Sequence, residues 1–179
     1  MIEESEVQNN LHARLQQRID ALGYDFESFT LDHFVAWIAD QRRRPVHVYE
    51  VDFAGDLFGF WCPIDTADYI FIKKQLHPTH RIHVILHELA HIVLDHQGVE
   101  LAEVLPSHLL EGLDEAVTQI VLRAPATYPA TSDDEAEAEA FVALIRLRLV
   151  RLNRLRELFG DGSSIPAAQP YMRGLDFTG

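Results

Sequence analysis

The 179-residue chain holds a single cysteine, Cys62, so no disulfide can form within it. That fits a reducing compartment. Cys62 stands in the apolar, strand-like run Phe60-Trp61-Cys62-Pro63 and reads as a small buried hydrophobe, not a reactive thiol. Basic residues are also scarce. Fifteen Lys and Arg against 28 Asp and Glu leave a net charge of −13. Gripping duplex DNA takes clustered cations against phosphate, so direct nucleic-acid binding is not expected and a neutral or basic partner is. No apolar run approaches the roughly 20 residues that span a bilayer. The start, Met1-Ile2-Glu3-Glu4-Ser5-Glu6, is acidic with no apolar run behind it, unlike a signal peptide. These absences together predict a cytoplasmic protein.

What is present is an ordinary globular balance, 47% hydrophobic and 24% charged, without repeats. One domain over residues 1–160 is expected, with residues 161–179 a Gly-, Ser- and Pro-containing tail, mobile or strap-like. Apolar residues at Val7, Leu11, Leu15, Ile19 and Leu22 have helical spacing, and Gly23 suits the stop. A second helix is predicted over Leu31–Arg43, capped by Thr30 and stopped by Pro45, with Arg42-Arg43-Arg44 a solvated end. Val46–Val51, Leu57–Cys62 and Tyr69–Ile72 read as three strands, with Ala54-Gly55-Asp56 and Asp65–Asp68 as turns. Short links suggest a small, mainly antiparallel sheet that needs a helix across one face. Beyond it, Gln97–Pro106 reads as a loop and His108–Arg123 as a helix capped by Ser107. A long helix then runs from Thr131-Ser132-Asp133-Asp134 to Phe159, acidic early and basic late, as its dipole favours. The fold class is α+β.

The covering helix, from about Ile82 to Leu94, carries His87-Glu88-Leu89-Ala90-His91. Positions four apart on a helix face the same way, so two imidazoles can share one tetrahedral metal ion, usually Zn²⁺. Glu88 stands where its carboxylate can act as general base toward a metal-activated water. Ten histidines make a chance H-x-x-x-H ordinary. The apolar surroundings, Val84, Ile85, Leu86, Ile92 and Val93, make a metal the better account, because polar groups on a buried face need partners. His80 and His83 fall within the same arc and read as lining groups or exposed residues near the helix start.

A catalytic zinc takes three protein ligands and keeps one position open. The metzincin pattern H-E-x-x-H-x-x-G-x-x-H is excluded, because Leu94 and Gln97 stand where it needs Gly and His. His96 and Asp95 then read as groups around the site or on the surface. Glu111, with Asp114 and Glu115 behind it, has a gluzincin-like spacing, against a plain reading as the polar face of an amphipathic helix. Glu137, flanked by Ala136 and Ala138 ahead of an apolar stripe, is a third-ligand candidate that can point inward.

The run His87-Glu88-Leu89-Ala90-His91-Ile92-Val93-Leu94-Asp95-His96, with a strand before it and Glu137-Ala138-Glu139-Ala140-Phe141 after it, resembles the ImmA/IrrE family of intracellular zinc metallopeptidases. The resemblance extends over about Asp68 to Ile145. It implies a minimal zincin fold, zinc held by His87, His91 and Glu137, and Glu88 as the base. It also implies a protein substrate, a helix-turn-helix transcriptional repressor whose cleavage switches on stress or mobile-element genes. The gap between His91 and Glu137 is long for the family. Leu144-Ile145-Arg146-Leu147 replaces its usual Leu-Leu-Met-Pro-like ending. The competing reading is a binding or regulatory module with a non-catalytic zinc, or one half of a toxin–antitoxin pair.

Overall fold

The stripe Leu11, Leu15 and Ile19 lies on α1, Ile2–Ala21, and buries Leu15 and Ile19 almost completely. Gly23 ends the turn at φ +62°, a conformation glycine adopts without strain. The computed structural model describes residues 2–52, 57–96 and 131–159, with side chains from residue 9 onward. The expected 54–56 turn, the Gln97–Pro106 loop, the His108–Arg123 helix with Glu111, Asp114 and Glu115, and the 161–179 tail lie outside the described residues.

After a short 3-10 turn, Phe26–Ser28, α2 runs over Leu31–Arg42. Thr30 caps it by accepting a bond from the His33 amide at 3.2 Å. The helix stops one residue earlier than predicted. Arg43 takes a left-handed turn at φ 51°, and Arg44 N–H returns to the Ala39 carbonyl. Two of the three arginines are not simply solvated. Arg42 reaches Asp95, while Arg44 reaches the buried Asp68, which also accepts from Trp61 Nε1 at 3.1 Å. A buried carboxylate is costly unless paired, and this one lies where α2 hands over to the sheet.

The strands are β1 (Val46–Val51), β2 (Gly59–Ile64) and β3 (Ala67–Lys73), ordered β1-β3-β2. β2 begins and ends two residues later than predicted. β2 and β3 form an antiparallel hairpin from Gly59↔Ile72 to Ile64↔Ala67, turning at Asp65, φ 49°. β1 and β3 are parallel, Val46↔Asp68 to Val51↔Lys73, so the sheet is mixed where antiparallel pairing was expected. The cause lies in β3. Ile70, Phe71 and Ile72 are all fully buried, and a run apolar on both faces belongs in the middle of a sheet. The link after β1 therefore carries the chain past the central position, and the hairpin returns β3 into it.

α3 spans Pro78–Val93, starting four residues before the predicted Ile82, with Pro78 in the first turn and His77 as cap. It lies on β2 and β3, with Val84 against Gly59. α4, Ser132–Phe159, starts with a reciprocal cap: Asp134 N–H to Thr131 Oγ1, and Thr131 N–H to Asp134 Oδ2. At 28 residues it is about 42 Å long. It lays Ala138, Phe141, Val142 and Ile145, all at most 1% exposed, against α3 and α1. Among the described residues no helix is long and apolar enough to cross a membrane.

Candidate metal centre

His87 and His91 sit one turn apart on α3, with their Nε2 atoms 3.1 Å from each other. From α4 the Glu135 carboxylate straddles the pair, with Oε2 3.0 Å from His87 Nε2 and Oε1 3.5 Å from His91 Nε2. Zinc bonds to nitrogen and oxygen are about 2.0–2.1 Å, so two ligands on a regular tetrahedron stand about 3.3 Å apart. The separations are close to that edge, with one carboxylate oxygen beside each imidazole. Two imidazoles and a carboxylate are also a donor set zinc accepts while keeping a fourth position.

Glu137 does not join them. Two residues along a helix is a rotation of about 200°, and the side chain contacts Arg14 of α1 and lies 3.6 Å from His96 Nε2. The structure brings Glu135 to the imidazole pair and turns Glu137 away. Glu135 stood unremarked in the sequence as part of an acidic helix start. Its signal was periodicity. The mean direction of the buried Ala138, Phe141, Val142 and Ile145, at about 100° per residue, lies slightly nearer residue 135 than residue 137.

His96 is also drawn in. Its side chain is 6% exposed, and its Nδ1 lies 2.9 Å from His91 Nδ1. That bond occupies the His91 nitrogen facing away from Glu135. Burial, followed by His87 and His96, holds His91 down to about 3, so the ring is neutral and its Nε2 can be a lone-pair donor. On the other side of His87, Glu139 Oε1 lies 3.4 Å from His87 Nδ1 and 3.1 Å from His83 Nε2.

Glu88 points away from solvent toward β2. Lys73 N–H bonds to the Phe58 carbonyl, so the alternate residues Gly59 and Trp61 turn their backbone groups to the outer side of β2, which no other described strand pairs with. Burial pushes the Glu88 carboxyl up to about 8, with the Glu135 charge acting the same way and the Trp61 amide opposing. A side chain at Gly59 would have no room. An added Cβ there would fall 2.4 Å from Val84 Cγ1 and 3.4 Å from Glu88 Oε1. The absent Cβ keeps open a cleft of about 260 Å³ between Phe58, Gly59, His80, His83, His87, Glu88 and Glu139. Cys62 is buried, and burial with Asp68 and Glu88 nearby pushes its thiol to about 12, which leaves it unreactive.

A small α+β fold that sets an H-E-x-x-H helix beside a sheet edge, with a carboxylate closing on the two imidazoles, is metallopeptidase-like. Residues 44–116 match the family model Peptidase_M78, the IrrE N-terminal-like domain. The match covers β1 through α3 and stops before α4, so Glu135 lies beyond it. No curated protein and no solved structure matched the chain.

Proposed function

We propose that the chain is an intracellular zinc metalloendopeptidase that cuts a protein partner, with a helix-turn-helix repressor as the substrate. The observation that carries this is the meeting of His87, His91 and Glu135 at tetrahedral spacing with a buried carboxylate, Glu88, on the adjoining residue. Bound zinc would bring Lewis acidity, acidifying a water and polarising the scissile carbonyl. Glu88 would take a proton from the attacking water and pass it to the departing amine. A carboxyl raised toward neutrality suits both halves of that exchange. The outer side of β2 beside it, unpaired among the described residues, offers Gly59 backbone groups to an extended peptide, which suits a segment added as a strand. The net charge of −13 suits a basic partner, as DNA-binding proteins are.

The test is cleavage of any helix-turn-helix protein found encoded beside this gene, by the wild type and by Glu88→Gln at equal zinc content. Loss of a general base should slow cleavage about 10²–10⁴-fold. Equal rates would remove Glu88 from the chemistry. A zinc-loaded wild type that cuts no such protein would leave a binding module as the better reading.

A further inference from the structure

We propose that Glu139 is a positioning residue: it holds His87 in the one tautomer and orientation that present Nε2 to a metal, and His83 in turn holds Glu139. The inference rests on the metal site proposed above.

An imidazole has two nitrogens, and when neutral only one carries the proton. His87 Nε2 faces Glu135 and His91, so a metal there needs that nitrogen bare and the proton on Nδ1. Nδ1 is the nitrogen that faces Glu139 Oε1, at 3.4 Å. The contact is long for a hydrogen bond, but a carboxylate on that side attracts the proton to Nδ1, biases the ring toward the tautomer with Nε2 bare and makes that nitrogen a stronger donor. Glu139 needs holding itself, because its side chain is 55% exposed and would otherwise sample several rotamers. His83, one turn before His87, does this by donating Nε2–H to the same Oε1 at 3.1 Å. The remaining nitrogen, His83 Nδ1, is buried with no hydrogen-bonding partner among the described residues, which suits a lone pair better than a stranded N–H.

The pattern is two ladders in register. α3 presents His83, His87 and His91, and α4 presents Glu139 and Glu135, each carboxylate lying between two imidazoles. One helical repeat on α4 therefore supplies both a ligand and the group that aims another ligand. His83, His87 and Glu139 are also close enough to hold a cation of their own. That would take both His87 nitrogens as metal donors and strip both protons from the ring. A hydrogen bond asks for neither.

The test is zinc affinity of the metal-stripped full chain, measured by competition with a chelator. The wild type should bind one zinc. Glu139→Ala should weaken it about 10–100-fold, the usual loss when the partner of a ligating histidine is removed. Glu139→Gln, which keeps an acceptor oxygen, should recover part of that. His83→Ala should lose less, and the double variant no more than Glu139→Ala alone, because His83 acts through Glu139. Metal-free melting temperatures should stay at the wild-type value. Unchanged zinc affinity in Glu139→Ala overturns the proposal. So does a wild type that binds two zinc ions and a Glu139→Ala that binds one, which would make the cluster a second metal site. A wild type that binds no zinc fails earlier, at the metal site itself.

Discussion

A carboxylate on a helix serves a site only if its Cα lies on the right side, and α4 offers Glu135, Glu137 and Glu139 in succession. Glu135 and Glu139 are one turn apart and face the α3 histidines. Glu137, between them, faces Arg14 and His96. Zinc retention should follow that geometry. Glu135→Ala should lose zinc on dialysis and lower affinity beyond the roughly 10–100-fold cost of removing an outer partner. Glu137→Ala should keep one zinc per chain. Metal analysis of the two dialysed variants checks this, and the opposite order would return the ligand role to Glu137. At this scale the sequence was legible in part. His87, Glu88 and His91 declare themselves, because their relation is local and helical geometry fixes it. The third carboxylate comes from another helix. A pattern of alternating Glu and Ala does not say which of its members turns inward until the packing of Ala138 and Phe141 fixes the rotation of α4.

Between elements, the decisive approach is that of α3 to β2. Gly59 lets Val84 and Glu88 sit against the strand, and an added Cβ would fall 2.4 Å from Val84 Cγ1 and 3.1 Å from the Phe71 carbonyl. Phe71 is in the central strand and fully buried, so its backbone has little freedom to yield. Gly59→Ala should therefore destabilise the protein by about 1–3 kcal/mol, as overpacking does, and displace Glu88. Urea unfolding measures the first and cleavage rate at saturating zinc the second. A variant as stable and as active as the wild type would show that the strand edge is not held by α3. The strands themselves were readable from alternation and apolar runs. Their order was not, since the same runs and links are compatible with a simple meander. Only the burial of both faces of β3 selected the central place, and with it the parallel pairing to β1.

Across the whole molecule, two helices, α1 and α2, converge on the C-terminal end of α3. Arg18 of α1 donates to the Val93 carbonyl at 2.7 Å and to Asp95 at 2.8 Å. Arg42 of α2 donates to the Ile92 carbonyl at 2.9 Å and to Asp95 at 2.6 Å. The last carbonyls of a helix lack partners within it, and cations there are favoured by its dipole. Asp95 gathers the two arginines, and Arg42 followed by Arg18 holds its carboxyl below the ordinary value of 3.8. A group depressed in the folded state contributes stability above its unfolded value and loses it as pH falls through the folded one. Asp95→Asn should thus lower stability by about 0.5–1 kcal/mol, the scale of a half-exposed pair. The gap in urea midpoint from the wild type should be constant between pH 7 and pH 5 and close below pH 4. A gap that persists into acid would assign the loss to packing. The sequence by itself determined the α+β class, the helix that bears the two imidazoles, and the carboxylate beside them. All of these follow from periodicity and short-range spacing. Only the tertiary structure decided that Glu135 meets the imidazole pair, that His96, His83 and Glu139 lie around it, and that the sheet is mixed. Those relations join residues far apart in the chain, and the rotation and order in which elements pack come from the shared core, not from any single stretch.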